Sequence, residues 1–249
     1  MALFAPLITT HDPTDQDLES LLLRPGSSGH LLGTDNFGRD VFSRVVFGSR
    51  PALTVGFVAV SIALVLGLIF GLAAGLMEGW IDQIIMLFMD SLLSFPTILL
   101  AMTVIAVMGY GLPQVMVALG IVFSPVFARL IRAETLLVKT EGYVESSRAL
   151  GTPLLKTVVL HILPNIAGRV VVQCAVTFAL SIVIESSLSY LGLGMQPPNP
   201  SWGLMLKDAR NYLASAPWLA VFPGLAIALT VLSFNVLGDT VSERLSSDL

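Results

Sequence analysis

The chain predicts an all-α membrane protein, a polytopic bundle of five core transmembrane helices. Three observations carry that prediction. Apolar residues make up 55% of the 249 and charged residues only 12%, and the mean hydropathy of +0.84 lies far above that of a soluble domain of this size. Five stretches approach the roughly 20 residues that an α-helix needs to cross about 30 Å of hydrocarbon. None of the five alternates as a membrane β-strand does.

Taken in order, residues 1–51 form an extramembrane arm. Its opening run, MALFAPLI, is too short to span, no signal peptide is legible, and charges of both signs follow, among them Asp12, Asp15, Asp17, Glu19, Arg24, Arg39, Arg44 and Arg50. Residues 52–249 form the transmembrane domain, with spans predicted over 52–77, 83–108, 112–130, 170–191 and 218–237. In the first span Gly67, Gly71 and Gly75 share one helix face, a flat strip suited to close packing.

The second span carries Asp90 ahead of Pro96, and the fourth carries Glu185. An intramembrane carboxylate costs about 3 kcal/mol on insertion scales, so each must face protein or water. Two roles are open. Glu185 lines the outer half of a passage and Asp90 its cytoplasmic half, or each makes a hydrogen bond or ion pair between helices, the reading favoured for Asp90. Before the fifth span, GLGMQPPNPSWGLMLKDARNYLASAPW joins a proline-rich turn to amphipathic residues from Leu204 to Leu213. It suits the outer surface, either as a contact for a delivering protein or as an interfacial anchor through Trp202, Tyr212 and Trp218.

The loop over 132–168 holds the one long polar stretch, EGYVESSRALGTPLLKTVVLHILPN, from Glu141 to Asn165. Gly151 suits the left-handed residue just past a helix end, Thr152 an N-cap, and Pro153 the first position of a new helix. Two short helices therefore meet at Gly151. The first, over 143–150, sets Tyr143, Ser147, Leu150 and, across the turn, Leu154 near one face, with Glu145 and Arg148 on another. Pro164 ends the second or kinks it. Arg129, Arg132, Lys139, Arg148, Lys156 and Arg169, in and beside the loop, place it in the cytoplasm. The arm's arginines nearly balance that count, but the arm is long and partly acidic, and long segments follow the charge rule poorly.

Several chemistries are excluded. No Gly-Lys pair occurs, so the chain lacks the phosphate cradle of an ATPase. The single cysteine, Cys174, falls in an apolar span and offers neither a disulfide nor a cysteine metal site. His11, His30 and His161 stand on separate segments without ligand spacing, so no metal site is expected. No nucleophile and base pair stands out as catalytic, and no basic patch suits nucleic acid.

Glu145, the small pair Ser146 and Ser147, Gly151, Leu163 and Pro164 resemble, in order and spacing, the EAA loop of ATP-binding-cassette (ABC) importer permeases. The chain departs from the family's habit in having serines where alanines are usual, and His161 where an aliphatic residue is usual. Four further blocks resemble the dipeptide, oligopeptide and nickel group, and within it the C-type permease: HLLGTDNFGRDVFSRVVFGSR from His30, MDSLLSFPTILLA from Met89, SSLSYLGLGMQPPNPSWG from Ser186 and FNVLGDTVSERL from Phe234.

The resemblance implies a type I ABC importer fold whose cytoplasmic coupling helix lies over 143–150. The ATPase-coupling loop it implies consists of Tyr143, Glu145, Ser146, Ser147, Arg148, Leu150, Gly151, Leu163 and Pro164. It further implies no catalytic residue and no bound cofactor in this chain, with ATP and Mg held by two partner ABC ATPases. The remaining partners would be a second homologous permease, usually a different chain, an extracytoplasmic substrate-binding protein, and the lipid of a bacterial or archaeal cytoplasmic membrane. Peptides are the expected cargo, with nickel or another small solute as alternatives. Members usually carry one more helix upstream, and a shortened chain, a misplaced start and a five-span form all fit its absence before residue 52. The rival class is a proton-coupled secondary transporter with Asp90 and Glu185 as relays. No inverted repeat supports it, and it leaves the polar loop without a task.

Overall fold

A computed structural model describes residues 2–27 and 29–247, and of Arg148 and residues 244–247 the backbone alone. Among the described residues every regular element is helical. A short helix α1 (Ala5–Ile8) opens the arm, and α2 (Val41–Met77) is the first span. Then come α3 (Gly79–Leu93), α4 (Thr97–Met108) and α5 (Leu112–Val138). The polar loop contains α6 (Gly142–Ala149) and α7 (Leu154–Thr157), and α7 runs through a π turn (Val158–Ile162) into α8 (Leu163–Tyr190). The chain closes with α9 (Trp202–Ala209) and α10 (Trp218–Ser247). Among the described residues four helices are long and apolar enough to cross a membrane, five if the bent pair of α3 and α4 counts as one span, against the five spans predicted.

The helices overrun the predicted spans, the third and fifth at their ends and the fourth at its start, which lies at Leu163 rather than residue 170, and the first two spans differ in kind. The first helix starts at Val41 rather than at residue 52, because Asp40 caps it by accepting from the Ser43 amide at 2.7 Å. Pro51 then lies inside the helix without ending it, and the Ser49 and Thr54 hydroxyls on either side donate to the carbonyls of Val46 and Arg50. The second predicted span is not continuous. It bends by 96° between α3 and α4, since Pro96 has no amide to donate and forces the preceding residue out of helical geometry. The Ser94 amide, bonded to the Asp90 carbonyl at 3.0 Å, closes α3 just before the bend.

The chain divides into two compact units. One comprises Met1–Val58, Ala101–Ala118 and Ala179–Ser233, and it buries a charged cluster beside its apolar residues. The GTDNFGRD segment of the arm folds on itself: the Asp35 carboxylate accepts from the amides of Phe37 and Arg39 and, at 2.7 Å, from Arg39 Nε. Arg44, 1% exposed, lies 3.4 Å from the same carboxylate and donates to the Pro13 carbonyl at 2.8 Å. Arg39 also approaches Asp208 on α9 at 3.5 Å. Burial pushes the Asp208 carboxyl above its ordinary range, while Arg39 and Arg44 pull it the other way. Trp202 Nε1 donates to the Val45 carbonyl at 2.8 Å, which fastens α9 to the start of α2.

The other unit comprises Ala59–Leu100, Leu119–Phe178 and Phe234–Leu249. Here the glycine strip of α2 lies directly against α5. A Cβ on Gly71 would stand 2.7 Å from the Ala128 carbonyl oxygen, and one on Gly75 would stand 2.8 Å from Thr135 Cβ. The strip is a packing surface, as its spacing predicts.

Candidate functional site

The polar loop is built from its backbone outward. The Val144 and Glu145 amides donate to the Glu141 carbonyl at 2.9 and 3.1 Å and start α6, with Glu145 in the first turn where the helix dipole favours an anion. At the other end Gly151 takes φ +80°, and the Thr152 amide reaches back to the Ser147 carbonyl at 3.2 Å. That pair of features is a Schellman stop. Thr152 does not cap the next helix as predicted. Its hydroxyl accepts instead from Ser147 Oγ at 3.0 Å, while Pro153, with ψ 143°, takes the N-cap position and α7 starts at Leu154.

Pro164 neither ends nor sharply kinks the helix that follows. The π turn just before it passes the Leu163 amide to the Val158 carbonyl, and Asn165 Nδ2 donates to the His161 carbonyl at 2.6 Å. Helix α7 thus runs on through the turn into α8, while α6 is joined to the end of α5 by the three-residue turn 139–141.

The side chains divide into anchors and a free face. Val144, fully buried, holds α6 to the rest of the unit, an anchor that the sequence reading passed over. The Ser146 hydroxyl folds back on its own helix, donating to the Gly142 carbonyl one turn earlier at 2.7 Å. His161, noted only as a departure, meets the Tyr143 ring edge-on at 5.8 Å. Leu163 is half-buried and Pro164 exposed at the root of α8. Glu145 and Ser146 face solvent, and beside them Leu150 is 87% exposed, Leu155 75%, Leu154 54% and Tyr143 46%. So much apolar surface on two short polar helices marks a contact face.

Charge pairs fix the helices that carry this loop. Arg132 of α5 grips Asp82 of α3 through two bonds, one of them Nη2 to Oδ2 at 2.6 Å, and Arg169 of α8 pairs with Glu134 of α5. Lys139 Nζ, beyond α5, donates to the Gly75 carbonyl at 2.9 Å and pairs with Glu78. The charges were legible in the sequence, but their partners, separated by tens of residues, were not.

The two intramembrane carboxylates sit in different surroundings. Asp90 accepts from Arg129 Nε and Nη2 at 2.9 and 2.7 Å, an ion pair between helices with both side chains about half exposed. Glu185 is fully buried and accepts from Ser189 Oγ at 2.7 Å and Ser186 Oγ at 3.3 Å on its own helix.

A helical membrane bundle with an exposed, bent polar helix between two spans defines a class of transport permeases. Residues 64–249 match the family described as binding-protein-dependent transport system inner membrane component, and the chain belongs to that family. It is 47% identical over 223 residues to the glutathione transport system permease protein GsiD of Pectobacterium atrosepticum, covering 90% of this chain and 74% of that protein. To the dipeptide transport system permease protein DppC of Alkalihalophilus pseudofirmus it is 41% identical over 245 residues, 98% of this chain and 80% of that one. Among solved structures, an inward-facing MetNI methionine ABC transporter matches with a TM-score of 0.71 at 18% identity, over 82% of this chain and 96% of that one, a likeness of fold. The chain is therefore a multi-pass permease component of the ABC importer kind. The family's description names a system that depends on a binding protein.

Proposed function

We propose that this chain is one of two permeases of an ATP-driven importer of short peptides in the cytoplasmic membrane of a bacterium or archaeon, and that α6 is its point of attachment to an ATPase. The carrying observation is the exposed face of Tyr143, Glu145, Ser146, Leu150, Leu154 and Leu155, set at the Gly151 stop between two transmembrane helices. In this reading a binding protein delivers cargo at the outer face, and ATP with Mg closes two partner ATPases upon each other. The cleft that receives α6 moves with them. Because α7 runs on into α8, α6 follows α5 after a short turn, and α5 is clamped by Arg132 to Asp82 and by Arg169 to Glu134, that movement passes to the spans as a rigid-body tilt rather than being lost in a flexible linker. One docking loop per chain and two ATPases require a second permease.

The cargo assignment rests on the relatives named for glutathione and dipeptide transport. The test is uptake into proteoliposomes containing the complex purified with its co-expressed neighbours. Labelled dipeptide, tripeptide and nickel are offered separately, with ATP and the binding protein supplied. Uptake of peptide that needs ATP and ignores a proton uncoupler is the expected outcome. Transport of nickel alone would replace the cargo, and transport driven by the proton gradient without ATP would reject the proposal.

A further inference from the structure

The arm brings together residues that the sequence shows only apart. The ring of His11 stacks on that of His30, with centroids 4.7 Å apart and planes inclined by 28°. His30 Nδ1 lies 3.0 Å from Asp40 Oδ1. One ligand atom from each of the three residues falls within 4.8 Å of the other two. His161 lies elsewhere, against Tyr143, whereas His11 and His30 meet although they stand on separate segments, because contacts between distant parts of the arm, invisible to local spacing, set the path of the chain.

We infer that His11, His30 and Asp40 form a binding site for a divalent transition metal of the zinc type. Two imidazoles and a carboxylate are a borderline donor set that suits zinc, cobalt or nickel in preference to magnesium or calcium. Each donor is held. Asp40 is fixed by the α2 cap, since its second oxygen accepts from the Ser43 amide at 2.7 Å and its side chain is 1% exposed. His30, 13% exposed, is oriented by Asp40. His11 is kept near by its neighbour Pro13, whose carbonyl accepts from buried Arg44, and its own Nδ1 lies 2.9 Å from the Thr10 hydroxyl. Donors in a tetrahedral site of this kind lie about 3.4 Å from one another, so side-chain movement of at most about 1.4 Å closes the set. Three protein ligands leave a fourth position for water or for a donor atom of another molecule.

The test uses the complex purified with its neighbours, stripped by chelator and titrated with Co2+ as a spectroscopic stand-in for zinc, then with Zn2+ in competition. Two variants keep the packing while changing the donors: His11→Phe retains a stacked ring, and Asp40→Asn retains a good helix cap. The expected result is one saturable site with the visible absorption of tetrahedral cobalt in the parent, displaced by zinc, lost in His11→Phe and weakened in Asp40→Asn. Thermal stability measured without metal should be unchanged in His11→Phe. A parent complex without that absorption, or an absorption that survives His11→Phe, overturns the inference and leaves the two rings as a packing pair.

Discussion

At Gly151 the backbone stands at φ +80°, and no atom lies within 4 Å of the place where a Cβ would project. A side chain there meets no clash, so its effect isolates backbone strain. Gly151→Val should cost about 1–2 kcal/mol in the left-handed region and shift the bend of the loop. The expected outcome is weaker co-purification of ATPases with unchanged membrane insertion, and unchanged transport would count against the hinge. Glu145 tests a different property, because its carboxylate is exposed on α6. Glu145→Ala should leave assembly nearly intact and reduce the stimulation of ATP hydrolysis by cargo-loaded binding protein, measured as phosphate release. The left-handed stop at Gly151 was legible because few other residues tolerate that geometry. The roles of Thr152 and Val144 were not legible, since the first depends on a hydroxyl five residues away and the second on burial against other parts of the chain.

Between elements, close packing and charge pairs make distinct predictions. The α2 glycine strip admits no side chain, so Gly71→Val should lower thermal stability in detergent by about 1–3 kcal/mol, whereas Gly224→Ala, with open space around it, should be neutral. Equal melting in the two variants would show that the α2 strip does not hold α5. The pair of Arg169 with Glu134 joins the two helices that flank the docking loop. Arg169→Glu should reduce transport by placing two carboxylates together, and the exchange Arg169→Glu with Glu134→Arg should restore much of it. Because Arg169 is largely exposed, the pairing contributes about 0.2–1 kcal/mol to stability, so transport is the more sensitive readout. Hydrophobic runs marked where these helices lie. They did not mark the break at Pro96 as a 96° bend, because prolines are tolerated inside membrane helices when hydroxyls or a π turn take up the freed groups. Pro164 is so accommodated by its π turn, and Pro125 inside α5 by the Ser124 hydroxyl, which donates to the Ile121 carbonyl at 2.8 Å, whereas the chain breaks at Pro96.

Across the whole molecule, composition and five apolar runs were enough for the class of fold, since a bilayer leaves a helical chain few alternatives. The arm was the least legible part. Of its charges, Asp35, Arg39, Asp40 and Arg44 are buried, and while Asp35 with Arg39 and Asp40 with the Ser43 amide are local pairs, Arg44 reaches back 31 residues to the Pro13 carbonyl, a contact that no periodicity announces. The central claim is that the bent helix α6 is held by a nucleotide-hydrolysing partner. It is tested most directly by placing a photo-crosslinking amino acid at position 150, where Leu150 is 87% exposed, in the intact complex and irradiating during ATP turnover. The account predicts a covalent adduct with an ATPase subunit, with a yield that changes between nucleotide-free and ATP-trapped states. An adduct with the substrate-binding protein, or none at all in a complex that still transports, would contradict it.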